Sequence, residues 1–261
     1  MIEFENVSRT YGDRLAVDRL NLSVPRGELF AFLGPNGAGK TTSIKMAVGL
    51  LRPTEGHIRV CGHDVVEQAR KAKQRVSFVP DEPYLYDKLT GREFLRFIAD
   101  MYGMAPDEAD HEVEYQIDYF ELTTFVDDLT ESYSHGMKQR LVFASAMLHY
   151  PEILVVDEPM VGLDPKSIRL VKDLLRRKAT EGVTVFMSTH TLAVAEEIGD
   201  RIGIINRGRL LFVGTVAQLK DEMARHESSL EQMFLELTDG NGEADELGAG
   251  GGGKQKVIGN Q

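Results

Sequence analysis

The first feature of the sequence that suggests chemistry is a glycine-rich loop ending in a lysine and a threonine. Residues 34–41 read Gly-Pro-Asn-Gly-Ala-Gly-Lys-Thr and fit the pattern G-x-x-x-x-G-K-[ST] at every fixed position. Glycines at this spacing let backbone N–H groups turn inward around phosphates, while Lys40 brings a positive charge and Thr41 a hydroxyl that can ligate Mg²⁺. An apolar strand precedes the loop and a helical pattern follows it, so a helix N-terminus also faces the anion. The pattern predicts a site for the phosphates of a nucleotide.

Two adjacent carboxylates follow another apolar strand further along the chain. Residues 153–158 read Ile-Leu-Val-Val-Asp-Glu. Neighbouring strand residues point to opposite faces, so we expect the two acids to have separate tasks. Asp157 is placed to hold Mg²⁺ or its water, and Glu158 to polarise an attacking water. A strand ending in two acids is common, and it becomes strong evidence only together with the phosphate loop.

Two further positions have both a structural and a functional interpretation. Asp164, followed by Pro165, is typical of a helix N-cap, and it can also make a contact across a dimer. His190 follows the apolar residues 183–187. A lone histidine at a strand end is more often structural or solvated, but ligands of α/β proteins bind at this edge of the sheet. We therefore expect His190 to hydrogen-bond the γ-phosphate and the water, and the predicted catalytic residues are Lys40, Glu158 and His190.

Strand patterns at both ends of the chain enclose a helical region. Strands alternating with helices imply a mainly parallel sheet covered on both faces. The prediction is an α/β fold: a phosphate-loop NTPase core, an N-terminal antiparallel β subdomain and an inserted α-helical subdomain at about residues 88–150. Within the insert, apolar residues at helical spacing predict one buried face: Phe94, Phe97, Ile98 and Met101. Residues 201–214 suggest a hairpin that turns near Arg207 and Gly208.

Composition restricts the class of protein. The 261 residues include 41 acidic and 30 basic side chains, a net charge of −11, which argues against a large nucleic-acid footprint. The single cysteine, Cys61, excludes an internal disulfide and a cysteine-rich zinc module, and we expect it to be a small buried hydrophobe. Apolar stretches are strand-sized and the start does not resemble a signal peptide, so we expect a cytosolic protein. We predict one domain at 1–237, ending in a helix at 229–237, and a flexible glycine- and acid-rich tail at 238–261.

A further motif identifies a family resemblance. Residues 133–140 read Tyr-Ser-His-Gly-Met-Lys-Gln-Arg, which resembles the L-S-G-G-Q signature of ATP-binding-cassette (ABC) ATPases. The phosphate loop, this signature, Asp157-Glu158-Pro159, Gly162-Leu163-Asp164 and His190 follow one another in the family's order, over roughly residues 1–237. The resemblance implies ATP and Mg²⁺ as ligands and a head-to-tail dimer that sandwiches two ATP molecules. The signature of each subunit would then bind the γ-phosphate held by the other, through the Ser134 hydroxyl, the Gly136 N–H and the helix they begin.

The resemblance completes the set of candidate site residues. Tyr11 lies where the family has an aromatic residue that stacks on adenine. The residues predicted to bind ATP are Tyr11, Gly34, Pro35, Asn36, Gly37, Ala38, Gly39, Lys40, Thr41 and Thr42. Those predicted to bind ATP held by a second subunit are Ser134, His135, Gly136 and Asp164. The predicted metal ligands are Thr41, Asp157 and Asp81.

The sequence departs from the family pattern at two places. Asp81 takes the position of a glutamine that the family has between its core and its helical insert. A carboxylate can still ligate Mg²⁺ but repels the γ-phosphate, so hydrolysis is expected to be slower or more dependent on a partner. In the signature, Tyr133 replaces leucine and His135 replaces the first glycine, while Ser134 and Gly136 are kept.

The layout of the chain is most similar to that of ATPases serving multidrug, antibiotic or lipid exporters. It has one cassette, and it lacks long coiled-coil or zinc inserts and a large regulatory domain. The implied partners are a separate integral-membrane permease and a second ATP-binding subunit, which would place the protein on the inner face of the cell membrane. A permease helix would dock beside residues 81–97, with Tyr84, Leu85 and Tyr86 as candidate contacts. Two alternatives stay open: a soluble ABC ATPase acting in regulation or on nucleic acid, and nucleotide-gated binding without turnover.

Overall fold

A computed structural model of the chain describes residues 1–226. The predicted helix at 229–237 and the predicted tail at 238–261 lie outside the described residues. The chain divides into a compact unit, Met1–Val216, and a second unit, Ala217–Gln261. None of the helices within residues 1–226 is long and apolar enough to span a membrane.

The helices and strands alternate along most of the chain. The strands are β1 (Ile2–Tyr11), β2 (Arg14–Val24), β3 (Leu29–Leu33), β4 (Glu55–Val60), β5 (His63–Asp64), β6 (Val76–Val79), β7 (Ile153–Val156), β8 (Thr184–Thr189), β9 (Arg201–Asn206) and β10 (Arg209–Gly214). The helices are α1 (Lys40–Ala47), α2 (Ala69–Lys73), α3 (Gly91–Tyr102), α4 (Pro106–Tyr119), α5 (His135–Met147), α6 (Pro165–Thr180), α7 (Leu192–Ile198) and α8 (Val216–His226), with a 3₁₀ turn at Thr130–Ser132.

A six-stranded sheet positions the phosphate loop and the pair of carboxylates, Asp157 and Glu158, at the ends of its strands. Its strand order is β10-β9-β3-β8-β7-β6, and every neighbouring pair is parallel except the hairpin β9–β10. The strands β3, β7 and β8 are buried throughout, as continuous apolar runs covered on both faces must be. The hairpin turns at Arg207 and Gly208, both with positive φ, as predicted. The mainly parallel core is therefore confirmed.

An antiparallel sheet of order β2-β1-β4-β5 forms the N-terminal subdomain. Phe4 on β1 packs against Phe186 on β8, with ring centroids 6.2 Å apart, and Phe186 stacks on Phe30 of β3 at 5.6 Å. These rings join the apolar faces of the two sheets into one core. Cys61 lies in the turn between β4 and β5 and is half-buried, so the expected fully buried cysteine is not found. Burial raises the pKa of its thiol.

The segment between β6 and β7 is helical, as predicted, but α3 buries a different face. Gly91, Leu95 and Ala99 lie inward with Phe94, whereas Phe97 is 38% and Met101 68% exposed. The small residues Gly91 and Ala99 let the helix approach its neighbours closely. A Cβ on Gly91 would lie 2.5 Å from the hydroxyl of Tyr133. The expected face was wrong because it was built on Phe97 and Met101, whereas the helix turns Leu95 and the small residues Gly91 and Ala99 inward.

Candidate functional site

The glycine-rich loop joins β3, at the centre of the parallel sheet, to the N-terminus of α1. Gly39 caps the helix at φ 109° and Gly37 has φ 80°, backbone conformations that side chains with a Cβ rarely adopt. A Cβ on Gly39 would lie 2.7 Å from the carbonyl oxygen of Ala16, and one on Gly34 would lie 2.3 Å from that of Ile205. The glycines are therefore required by both conformation and space, and the free N–H groups of the first turn of α1 face the loop.

Lys40 folds back over the loop that it follows. Its side chain is only 6% exposed, and its ammonium group donates hydrogen bonds to the carbonyl oxygens of Gly34 at 2.7 Å and Pro35 at 3.2 Å. The same group lies 3.3 Å from Oε1 of Glu158. That oxygen is buried and has no hydrogen-bond partner, so the contact is an ion pair without hydrogen-bond geometry. Lys40 thus links the phosphate loop directly to the predicted catalytic carboxylate.

Asp157 is the most buried acid at the end of β7, with 1% exposure. Its Oδ1 accepts a hydrogen bond from the Ser188 hydroxyl, and the Thr41 hydroxyl lies close enough to the carboxylate to lower its pKa. Burial raises the pKa of Asp157, while the bonds from Ser188 and Thr41 oppose that rise. Its Oδ2 is buried without any partner.

The pair formed by Asp157 and Thr41 fits a divalent cation. A buried carboxylate oxygen without a partner, next to a hydroxyl, can take one side of a Mg²⁺ ion or of a water bound to it. Residues 1–226 contain no cluster of three or more acids, histidines or cysteines that could hold a metal unaided.

Glu158 has the backbone conformation of a strained residue. Its φ is 48°, and its N–H donates to the Ser188 hydroxyl at 3.0 Å. The side chain contacts different partners from those of Asp157: Oε2 contacts Nδ1 of His190 at 2.9 Å, while Oε1 faces Lys40. Left-handed backbone at a bulky residue costs about 1–3 kcal/mol and persists where the surroundings fix it. Ser188, which contacts both acids, was not among the predicted site residues.

A cleft of about 390 Å³, called here the loop cleft, lies between the β1–β2 turn and the phosphate loop. Nine predicted site residues line it: Tyr11, Asn36, Gly37, Gly39, Lys40, Thr41, Thr42, Asp81 and Glu158. Arg14 and Ala16 also line it and were not predicted. The guanidinium carbon of Arg9 lies 4.7 Å from the ring centroid of Tyr11, and Tyr11 is still 47% exposed. One face of the ring is supported and the residue remains accessible to a planar ligand.

Part of the signature segment lines a wider cleft of about 800 Å³, whose lining residues are Asn36, Asp81, Glu82, Pro83, Tyr133, His135, Lys138, Glu158, Val161, Gly162 and His190. Ser134 caps α5 and accepts a hydrogen bond from the Met137 N–H at 3.3 Å, which leaves its own hydroxyl proton free to donate. His135 is exposed, and its ring lies 3.3 Å from where a Cβ on Gly162 would be.

Tyr133 explains one departure from the signature pattern. Its ring is buried, its hydroxyl donates to the carbonyl oxygen of Phe125 at 2.6 Å, and burial raises its pKa to about 12. The tyrosine therefore anchors the start of α5 in the helical subdomain and keeps its one polar atom paired. Asp164 caps α6 by accepting from the N–H groups of Lys166 at 2.9 Å and Ser167 at 3.1 Å, so the structural interpretation of Asp164 holds.

The structure does not bring all predicted residues to one place. Within the described chain, the residues lining the loop cleft do not include Ser134, His135, Gly136 or Asp164. Asp81 is exposed, lines both clefts, and accepts from the Glu82 N–H at 2.9 Å. Among the candidate permease contacts, Tyr84 is 79% and Tyr86 49% exposed, but Leu85 is 6% exposed and belongs to the core.

Comparison with known proteins identifies the class that this fold and site define. The model of the ABC transporter family matches residues 17–161, and the chain belongs to that family. It is 38% identical over 219 residues to the linearmycin resistance ATP-binding protein LnrL of Bacillus subtilis (strain 168), covering 84% of this chain and 70% of that protein. It is also 38% identical to the probable multidrug ABC transporter ATP-binding protein YbhF of Escherichia coli (strain K12), over 91% of this chain but only 41% of that longer protein.

A solved structure supports the same assignment. The dimer of an ATP-binding cassette in a post-hydrolysis state with ADP and Pi matches with a TM-score of 0.76 and 26% identity, covering 83% of this chain and 99% of that one. The chain is therefore an ATP-binding subunit of the ABC transporter type, and its activity is ATP hydrolysis coupled to transport. The resemblance inferred from the sequence motifs is confirmed.

Proposed function

We propose that this chain powers an ABC exporter by closing head to tail on ATP with a second ATP-binding subunit, while bound to a separate membrane permease. The observation that carries the catalytic part is the contact of Glu158 with both Lys40 and His190 beside the phosphate loop. Relatives named for linearmycin resistance and for multidrug transport support the export direction. The exposed aromatic residues Tyr84 and Tyr86 support a partner beside the helical subdomain.

In this proposal each group within one subunit has one task. Tyr11 stacks on adenine and the loop N–H groups bind the phosphates. Thr41 and Asp157 would hold a Mg²⁺ ion, which would neutralise part of the phosphate charge. Lys40 leaves the carboxylate of Glu158 and turns to the β- and γ-phosphates. Glu158 is then free to accept a hydrogen bond from the attacking water.

His190 has a positioning and a contact role in this proposal. Its Nδ1 bonds Glu158, so the carboxylate is oriented and the opposite ring nitrogen is available to the γ-phosphate. His190 is 48% exposed, so a second subunit that covers it would also exclude water from the site.

The proposed contacts between subunits are made by Ser134 and Gly136, the two residues that match the family signature. The Ser134 hydroxyl proton and the Gly136 N–H, at the first turn of α5, bind the γ-phosphate that the other subunit's loop holds. His135 and Asp164 lie on the same interface, next to Gly162 and at the cap of α6 respectively. Ser134 and Gly136 are not among the residues lining the loop cleft of their own subunit, which is consistent with a second copy completing the site.

The permease partner is tested by affinity purification of the tagged protein from detergent-solubilised cells, with Glu158→Gln as the trapped form. A co-purifying integral membrane protein is expected, since closure of the two ATP-binding subunits on ATP stabilises their complex with the permease. Tyr84→Ser with Tyr86→Ser should lose the partner without loss of ATP binding, because both side chains are exposed. Recovery of nucleic acid, ribosomes or only a homodimer would shift the function to a soluble ABC ATPase.

Asp81→Gln tests the unusual carboxylate at the mouth of both clefts. We expect ATPase activity to be preserved or raised, because the amide keeps an oxygen for Mg²⁺ and removes a negative charge facing the γ-phosphate. The charge of Asp81 also raises the pKa of Asp157, although burial of Asp157 is the larger cause. Phosphate release at saturating ATP is the measurement, and Glu82→Gln, on the neighbouring exposed residue, is the matched control. Complete loss of turnover would give Asp81 a role of its own.

A further inference from the structure

The β1–β2 turn carries a cation that no motif of the sequence assigns. Tyr11 ends β1, Arg14 starts β2, and the two residues face each other across the ladder, with only Gly12 and Asp13 between them. Gly12 has φ 56°, which allows the tight two-residue connection. The turn therefore fixes Arg14 beside the aromatic residue that receives the base.

The side chain of Arg14 reaches the phosphate loop. Its terminal nitrogen lies 3.9 Å from the position that a Cβ on Gly37 would occupy, and Arg14 lines the loop cleft together with the loop residues. Within the described chain, no acid pairs with Arg14. Lys40, the other cation of the cleft, is already in contact with Glu158 at 3.3 Å.

The charges around the loop cleft favour a second cation beside Lys40. Asp81 and Glu158 line the cleft, and both lie close enough to Asp157 for their charges to raise its pKa, so three carboxylates lie near one another at this site. An arginine presents a rigid fork of donors that matches phosphate oxygens, and the guanidinium does not lose its charge. Arg14 is the arginine whose guanidinium the structure places beside the loop.

We propose that Arg14 binds the polyphosphate chain of the nucleotide, so that one hairpin contacts the base through Tyr11 and the phosphates through Arg14. This inference rests on the proposed nucleotide site. It assigns to the β1–β2 turn a role in selecting nucleotides with a polyphosphate chain, in addition to stacking on the base.

The test is ATP binding to the full-length chain by isothermal titration calorimetry in EDTA, where nothing is hydrolysed. Arg14→Gln is expected to weaken ATP binding about fivefold at low salt, and the difference should shrink at high salt because exposed charge contacts are screened. Arg14→Lys should recover part of the loss. Arg19→Gln is the matched control, since it removes the same charge from the same strand at a residue that is paired with Asp18 outside the cleft.

The outcomes separate this inference from the site itself. If Lys40→Ala abolishes ATP binding while Arg14→Gln matches Arg19→Gln, Arg14 has no role at the phosphates and the site stands. A loss in Arg14→Gln that is equal at low and high salt, with no recovery in Arg14→Lys, would mean a change in the turn, and the inference fails. Unchanged ATP binding in Lys40→Ala removes the site, and with it the premise for Arg14.

Discussion

Replacing Glu158 by glutamine should lower steady-state ATP hydrolysis at least about 100-fold while ATP still binds. A positioned general base typically contributes 10²–10⁴-fold, and the amide cannot accept the proton of the attacking water. Glutamine retains the size of the side chain and can still contact Nδ1 of His190, which lies at 2.9 Å. It also loses the charge that holds Lys40, so Lys40 is freer to move to the phosphates.

The trapped state should be visible as a change in mass. With Mg²⁺ and ATP, Glu158→Gln is expected to double its molar mass in light scattering, because ATP binds at the interface and is not consumed. Glu152→Gln is the matched control: Glu152 directly precedes β7, pairs with Arg75 and lies at the opposite end of the strand from Glu158. If Glu158→Gln hydrolyses ATP at the normal rate, the general base is another residue. If it stays monomeric in saturating ATP, the head-to-tail sandwich is contradicted.

The parts of the fold that could be predicted from the sequence are those fixed by local chemistry. The phosphate loop combines glycine conformations with a helix N-terminus, and the residue types at 34–41 predict both features. Strands alternating with helices predicted the mainly parallel sheet covered on both faces. The hairpin at Arg207 and Gly208 followed from its turn residues in the same way.

The errors and omissions come from contacts between distant segments. The inward face of α3 depends on Tyr133, which packs on Gly91. Ser188 belongs to β8, and only the parallel register places it beside the acids that end β7. Asp81, by contrast, was assigned by its place in a motif, and the structure puts it at the mouth of both clefts without a preformed metal cluster in the described chain.

The glutamate that the sequence identified has a property that no motif reveals. Glu158 has a positive φ, and the two adjacent acids contact different partners, Asp157 the Ser188 hydroxyl and Glu158 the ring of His190. Alternation along a strand predicted the separation, but Glu158 lies after β7 ends, where the alternation no longer applies. The separation is maintained by Ser188, which bonds the N–H of one acid and the carboxylate of the other.

Replacing Lys40 by alanine should weaken ATP binding at least about 100-fold, because a buried cation that meets two phosphates is lost. Lys45→Ala is the matched control: it removes the same charge from an exposed position of α1. Calorimetric titration with ATP in EDTA measures the affinity, and a thermal melt of each variant checks that the fold is intact. Normal ATP affinity in Lys40→Ala would contradict the assignment of residues 34–41 as the phosphate loop.

The loss in Lys40→Ala has two sources that a double variant can separate. Alanine removes the attraction of Lys40 for the phosphates, and it also leaves the carboxylate of Glu158, 15% exposed, without the ammonium that lay 3.3 Å away. A largely buried carboxylate that has lost its ammonium partner repels an incoming polyphosphate. Lys40→Ala combined with Glu158→Gln should therefore bind ATP more tightly than Lys40→Ala alone. Equal affinities in the two variants would mean that the ion pair has no influence on nucleotide entry, and that Lys40 acts only through the phosphates.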